Sequence, residues 1–592
     1  MNRFIIMLQM FAVLIVSGCS QEMGDDAPDM LERYGIVEFY NPAAGRNVSQ
    51  YGEIIGCTMK TLAPYLLEIV SDEQGWVVCE KGAAGPAGFN SIRLKFLPNE
   101  GGQHRSAEMY VSVEGYERTS VALFEQSRVM SEQECNETLN KYMHERLLAE
   151  YLWADAYSEL EVDLTMDYRD FLSHHLLKLG DVNIEDGGLT GQHTADPGTR
   201  FIYSSIQAVT AGTKSVVSNV GLGFGPFFAS ALNNDGSIYC LAVSYVHPGS
   251  PADLAGVRRG DAIFMVNDEY VTSDNYEAVS DDLLRNPSGS YSLVFFRDGQ
   301  VGDGKEMTAS VSVGAYEYNP VIYTEVRESG DHVVGYMVLE SFDYSCQQHL
   351  ADAVNQMKAA GITDLVLDLR FNMGGSVAQS RWLTGCIAGA SHLDDVFASL
   401  VYNDGSEEIW KFRGGPDELD GLGIAPDLGL DRLYVVGSYY TASASEMVIN
   451  SLRGINGFEV YHIGGKTEGK NVGMTTTYTT VDGVRYMFSP ITFRIRNAMG
   501  FGGYADGLEP DIVLSDQDMD FNDGDIDVIF PFSFSNWDVE GTNKALDLVM
   551  AMLNASKAAP HSCNDAKSGV QLTPVAPCAY PIPSHGRYGS VI

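Results

Sequence analysis

Positive charge is scarce in this chain. Its 592 residues carry 38 lysines and arginines against 79 aspartates and glutamates, a formal net charge of −41. With nothing basic to offset phosphate repulsion, nucleic acid is excluded as a partner. Like charge also keeps the chain off anionic membrane surfaces unless a covalent anchor holds it there. Metal-ligand spacings are missing too: neither CxxC nor HExxH occurs, so no metal site and no other cofactor is implied. The first apolar run, 4–16, is too short to cross a bilayer comfortably. What is left is ordinary for folded protein, with 45% hydrophobic and 20% charged residues. The length exceeds what one core can serve, and roughly three to five domains are expected.

The run 4–16, preceded by Arg3 as the only early positive charge, reads as a targeting segment rather than as fold. It ends in Val16-Ser17-Gly18-Cys19, which resembles the lipobox of bacterial lipoproteins. The resemblance implies a signal peptide over 1–19, with Cys19 as the lipidated first residue, followed by an acidic tether over 20–34. An ordinary secretory signal is the plainer alternative. Ser20 is not the aspartate associated with inner-membrane retention, so the expected location is the cell envelope, anchored by lipid at the outer membrane, on its periplasmic or surface face. Of the 9 cysteines, those beyond Cys19 could oxidise in an exported protein, and Cys57 with Cys79 and Cys563 with Cys578 are the pairs to test.

Periodicity divides the remainder into a multidomain α+β chain. Over 35–127, Ala107, Met109, Val111 and Val113 alternate with polar neighbours, the period of a half-buried strand, and 121–123 makes a final strand. This layout, with Trp76 and the closing Phe124-Glu125-Gln126, resembles a BACON-type or related immunoglobulin-like β-sandwich. Such domains are discussed as glycan contacts; a spacer with Trp76 in its core is the blander reading. Over 128–204 the pattern turns helical: Leu139, Tyr142, Met143, Leu147, Tyr151 and Leu152 form one stripe, Ser131 and Glu134 fit a capping box, and 168–179 reads as another helix. This connector is assigned no chemistry. Short β segments return over 205–315. Strand and helix alternate over 319–555, with a near-continuous apolar strand at 364–369 and others at 336–339, 433–436, 458–463 and 491–497. A tail rich in Pro, Ser and Gly occupies 556–592.

Within 205–315 two separated stretches resemble PDZ domains. Gly221-Leu222-Gly223-Phe224 matches the loop whose N–H groups receive a peptide's terminal carboxylate, and 247–268 (HPGSPADLAGVRRGDAIFMVND) matches the helix, turn and strand of the same fold. The resemblance implies capture of polypeptide by β-augmentation.

The chemistry concentrates in 431–473. An apolar β run feeds the small-residue turn 441–445, which opens a helical pattern; a second β run then leads to Gly469-Lys470. A hydroxyl at a strand-to-helix elbow and a lysine could form a nucleophile and its base. Alone, Ser443 with Glu446 is a capping box and Lys470 a surface charge. In order, however, the PDZ-like region, DLRFNMGG (368–375), TASASE (441–446), TEGKNVG (467–473) and GLEPD (507–511) resemble the C-terminal-processing (tail-specific) serine peptidases over about 131–555. The resemblance implies a crotonase-like α/β peptidase core, Ser443 as nucleophile and Lys470 as general base. It also implies an oxyanion hole from the N–H groups of Ala444 and of Gly374 or Gly375. A neutral, buried lysine needs no third orienting acid, unlike the histidine of a triad.

One departure stands out. Many family members place a glutamine four residues after the lysine to hold it, and here that position is Met474. The expected function is an envelope serine endopeptidase cleaving unfolded or C-terminally tagged polypeptides. The alternative is a lipoprotein that binds peptide or glycan on the same scaffold without cutting. The terminus Ser590-Val591-Ile592 has the pattern of a PDZ ligand, an idle tail being the simpler account.

Overall fold

The computed structural model describes residues 46–99, 103–187, 201–209, 218–231, 238–297, 306–343, 347–412, 427–513 and 543–555. Cys19, the 20–34 tether and the 556–592 tail, with Cys563, Cys578 and Ser590-Val591-Ile592, lie outside the described residues. Among the described residues no helix is long and apolar enough to cross a membrane. The chain divides into two units, one running up to Leu139 and including Thr480–Val484, the other holding the remainder.

The first unit is built of two β-sheets. In the five-stranded sheet, Arg105–Val113 lies between Thr119–Gln126 and Tyr65–Ser71; the three-stranded sheet is ordered Glu53–Thr61, Gly88–Phe96, Val77–Lys81. The period-two pattern does what it promises: Ala107, Met109, Val111 and Val113 are buried and share one core with Met59, Ile92, Leu94 and Phe96 of the other sheet. Trp76 sits in that core with the Arg105 guanidinium 4.8 Å from its ring. Burying Arg105 is tolerable because Gln126 Oε1 accepts from its Nε and the carbonyls of Leu97 and Pro98 accept from its Nη2, each at 2.8 Å.

The Cys57–Cys79 bridge does not form, and both thiols are free. Cys57 pairs with Ile92 and Cys79 with Leu94, on opposite sides of one middle strand. Strands two apart are separated by roughly 9–10 Å, beyond the ~7 Å between Cα atoms that a disulfide spans.

In the second unit, the helical stripe expected near the start of the connector is buried at Met143, Leu147, Tyr151 and Leu152. The helix Glu132–Glu150 that carries most of it opens with the Ser131/Glu134 capping box, each backbone N–H bonding the other's side chain. The helix expected over 168–179 is shorter: it spans Tyr168–Leu176, and a 3₁₀ segment continues over Leu177–Asn183, broken at Gly180 with φ +59°. These helices pack on Val472, Phe488 and Ile491.

Next comes an antiparallel sheet ordered Phe227–Ala231, Tyr239–Val243, Ala262–Val266, Ser290–Phe296, Met307–Ser312, with Phe227–Ala231 at its edge. One face packs Leu241, Ile263 and Leu293 together; the other places Phe228, Phe264 and Phe296 in a cluster with Tyr440 and Phe371.

A six-stranded sheet follows, ordered Val321–Ser329, His332–Leu339, Asp364–Asp368, Arg432–Gly437, Glu459–Gly464, Ile512–Val513. Its first pair is antiparallel and the rest are parallel. The central strands His332–Leu339, Asp364–Asp368 and Arg432–Gly437 are buried almost throughout because both faces are covered. Helices Gln347–Ala360, Val377–Ala388 and Ala444–Arg453 contribute to the core on one side, and Lys544–Ala555 to a second cluster with Tyr336, Val366 and Val436. A separate four-stranded sheet includes Ile491–Arg496 and Val472–Met474, the strand that leaves Lys470.

Leu94 is fully buried and Leu123 is 42% exposed, both on strands of the first unit. Leu94→Ala should therefore cost about 2–5 kcal/mol in urea unfolding of the full chain, through lost burial and a residual cavity. Leu123→Ala should stay within about 0.5 kcal/mol of the parent.

Candidate active site

Asp364–Asp368 and Arg432–Gly437 are parallel neighbours in the middle of the sheet, so the loops 369–375 and 438–443 leave its C-terminal end side by side, the usual place for a site in an open α/β sheet. Short side chains stitch them together. Thr441 Oγ1 donates to the Leu369 carbonyl at 2.9 Å, Ser445 Oγ to the Asn372 carbonyl at 2.9 Å, and Ala442 N–H to that same carbonyl at 3.1 Å. Arg370 is buried and paired through Nε and Nη2 with both oxygens of Asp368, at 2.9 and 2.6 Å, while Tyr336 Oη donates to Asp368 at 2.6 Å. A two-pronged pair of this kind fixes the start of the loop.

Ser443 holds the N-cap of helix Ala444–Arg453 with φ +56° and ψ −116°. A non-glycine residue in that region stores about 1–3 kcal/mol of strain, the condition of a nucleophile elbow. Gly374 lies directly against it. A Cβ on Gly374, at φ +102°, would come within 2.8 Å of Ser443 Cβ and 3.0 Å of the Ala444 nitrogen. The paired glycines are not equivalent: Gly374 N–H donates to Asn372 Oδ1 at 2.9 Å, which leaves Gly375 as the member of the pair whose N–H is not used there. Ala444 occupies the first helical position, where N–H groups have no partner within the helix.

Glu446 joins this turn to the lysine. Its carboxylate, wholly buried, accepts from Ser443 N–H at 2.9 Å, Thr467 Oγ1 at 2.6 Å, Gly469 N–H at 2.8 Å and Lys470 N–H at 2.9 Å. Burial pushes its pKa up to about 7 against the pull of its donors from Thr467, Gly469 and Ser443. The S-x-x-E spacing signals a helix cap; its second set of donors, from 467–470, has no local signature. Gly469, at φ +102°, must be glycine, since a Cβ would lie 2.3 Å from the Ala505 carbonyl oxygen. The 507–511 motif backs the same turn, with Leu508 N–H donating to Thr467 Oγ1 at 2.7 Å.

Lys470 is 9% exposed, and burial lowers its pKa from 10.5 to about 8, opposed by the charges of Asp186, Glu468 and Glu446. Its Nζ lies 4.8 Å from the Tyr203 ring centroid. Asp186 and Tyr203 belong to the connector, which the sequence reading left without chemistry; no short-range pattern marks residues so far upstream as neighbours of Lys470. The charges of three carboxylates thus act on a lysine expected to need no orienting acid. Met474 is half-buried and packs with the connector's apolar cluster. Among the described residues, no cluster of three or more His, Cys, Asp or Glu side chains could hold a metal ion.

At the edge of the antiparallel sheet, the two stretches 221–224 and 247–268 come together. Gly221 pairs with Gly314, the Leu222 carbonyl accepts from Ala252 N–H and the Gly223 carbonyl from His247 N–H, both at 2.8 Å, and Phe224 bridges Val246. Gly223 has φ +87°, and a Cβ there would sit 2.1 Å from that of Ser250. The loop leads straight into the edge strand Phe227–Ala231.

Comparison with known proteins defines the class of these regions. Residues 333–514 match the family model of peptidase family S41, and residues 242–290 match that of the PDZ domain. The chain is 31% identical over 265 residues to carboxyl-terminal-processing peptidase 2, chloroplastic, of Arabidopsis thaliana, covering 44% of this chain and 47% of that protein. It is 29% identical over 263 residues to carboxyl-terminal-processing peptidase 1, chloroplastic, of the same plant, covering 44% and 50%. The chain thus spans about half the length of these curated relatives. A crystal structure from Bacteroides fragilis described as an S41 protease shares the fold, with a TM-score of 0.54 and 21% identity over 70% of this chain and 97% of that one.

Lowering the pKa of a lysine by burial has a consequence for stability. The folded value, about 8, is below the ordinary 10.5, so the lysine weakens the fold wherever the unfolded chain would be charged and the folded one neutral or desolvated. Lys470→Met should raise unfolding free energy at pH 7 by about 3 kcal/mol at most. The gain should be full below pH 8 and should fade as pH rises toward 10.5, which urea titrations at pH 7 and pH 10 can check.

Proposed function

We propose that the chain is a serine endopeptidase acting on unfolded or C-terminally tagged polypeptides. The observation that carries this reading is the junction at Ser443: Gly374 in contact with it, and one carboxylate, Glu446, bonded to the backbone of both Ser443 and Lys470. Neutral Lys470 removes the Ser443 proton as Oγ attacks a peptide carbonyl. The N–H groups of Gly375 and Ala444 stabilise the oxyanion, helped by the positive end of the helix dipole. The leaving amine departs protonated, and Lys470 then activates the water that hydrolyses the acyl-enzyme. In this reading the 319–555 region is the crotonase-like peptidase core.

The PDZ domain presents polypeptide to this core. A C-terminal carboxylate is received by the N–H groups of Leu222, Gly223 and Phe224, and the chain adds as a strand beside Phe227–Ala231, at the sheet edge. Cys19 supplies a lipid anchor in the cell envelope, at the outer membrane, and the N-terminal sandwich, of BACON or immunoglobulin-like type, serves as a spacer or a glycan contact.

Full chain incubated with casein should give turnover that Ser443→Ala and Lys470→Ala each reduce at least about a hundredfold, the size of a lost nucleophile or base. Its kcat/KM should rise with pH through a limb near 8, where Lys470 loses its proton. Equal inertness of all three proteins would favour a lipoprotein that binds peptide without cutting. Fatty-acid labelling that persists in Cys19→Ala would sink the anchor.

A further inference from the structure

The residue four positions after Lys470 is Met474, a side chain that cannot orient an ammonium or amine by a strong hydrogen bond. The connector brings two groups to bear on Lys470: the Tyr203 ring, 4.8 Å from its Nζ, and the charge of Asp186. Asp186 is completely buried and accepts four hydrogen bonds: from Tyr151 Oη at 2.7 Å, from Ser204 Oγ at 2.8 Å, and from the N–H groups of Tyr203 and Ser204 at 3.0 Å each. Asn183 Nδ2 donates to Tyr151 Oη at 2.8 Å and so orients the first of these donors. Ser204 Oγ also accepts from Ile491 N–H at 3.0 Å, which ties the segment to the strand paired with Val472–Met474. Four donors on one buried carboxylate leave the Tyr203 backbone no freedom to shift.

The other end of Tyr203 is held as well. Its Oη donates to Glu468 at 2.9 Å, and the Glu468 N–H donates to the Thr441 carbonyl at 3.1 Å, two residues before Ser443. The ring is therefore pinned at its backbone by Asp186 and at its tip by Glu468, with the Lys470 Nζ 4.8 Å from its centroid, within cation–π range. The backbone of Lys470 is fixed by Glu446, but that bond does not reach the amine.

We propose that Tyr203 and Asp186 are the positioning residues of Lys470, the aromatic ring guiding the amine and the buried carboxylate fixing the ring, in place of the side chain that Met474 does not provide. The assignment rests on the Ser443–Lys470 chemistry above. The charged and titratable groups facing the amine are Asp186 and Tyr203 from the connector, Glu446 from the helix after Ser443, and Glu468 from its own turn. Asp186, Glu468 and Glu446 favour the ammonium, as does the ring. Loss of either positioning residue should therefore release the Lys470 proton at lower pH while degrading the geometry of transfer.

The test is the pH dependence of casein hydrolysis by the full chain and by Tyr203→Leu, Tyr203→Phe and Asp186→Asn. Tyr203→Leu and Asp186→Asn should lower kcat by about tenfold or more with KM changed less than about twofold, and should move the acid limb of the rate profile to lower pH. Tyr203→Phe keeps the ring and loses only the Glu468 bond, so its loss of kcat should be intermediate. A role confined to folding would lower kcat or the unfolding midpoint without moving the limb, and would overturn the proposal. Parent-like kcat and limb in Tyr203→Leu would overturn it too, and that variant keeps the test decisive if Asp186→Asn does not fold. Ser443→Ala and Lys470→Ala separate the two levels: if either retains parent activity the Ser–Lys reading itself is wrong. If both are inert while the positioning variants are unaffected, only the present assignment fails.

Discussion

The carboxylate of Glu446 is the joint on which the site depends. It is wholly buried, and a bare carboxylate there would be prohibitively costly. Four donors make it tolerable, and they come from two places: Ser443 on the elbow, and Thr467, Gly469 and Lys470 on the turn after the next strand. Because the carboxylate needs all of these donors, the elbow and the turn are locked into one body. A candidate nucleophile and its candidate base thereby share a frame, although a helix and a strand separate them in the chain. Preorganisation of this sort is what a reaction centre needs from its surroundings.

Charge around Lys470 is balanced between opposing demands. Burial drives the amine toward neutrality, and the neighbouring carboxylates of Asp186, Glu468 and Glu446 drive it back toward the ammonium, leaving it near 8. A base works best with a pKa close to the pH at which it operates. Burial without the carboxylates would leave a weak base, and carboxylates without burial a permanent cation. The connector takes part in that balance through Asp186 and Tyr203, so it belongs to the site as much as to the scaffold.

The same economy of placement appears in the sheet over 227–312. Its outer aromatic face, Phe228, Phe264 and Phe296, is covered by Tyr440 and Phe371. Tyr440 precedes Thr441 and Phe371 follows Arg370, so both covering residues lie in the loops that carry the site. An apolar face of this extent would be a liability if left open to water. Here it packs the PDZ-like sheet against the very segments that hold Ser443 and the paired glycines.

What the amino-acid sequence determined by itself is what depends on near neighbours along the chain. Alternation at Ala107, Met109, Val111 and Val113 specified a strand with one buried face. The Ser131/Glu134 spacing specified a helix start. The order of DLRFNMGG, TASASE and TEGKNVG pointed to Ser443 and Lys470 together. Tertiary structure alone decided that Asn372 occupies the N–H of Gly374 rather than Gly375, that Glu446 serves two loops, and that Tyr203, held by Asp186, meets Lys470. It alone kept Cys57 from Cys79, by placing a strand between them. The physical reason is common to all of these: periodicity and capping act over a few residues, whereas desolvation, charge and disulfide reach depend on distances through space that only the packed chain sets.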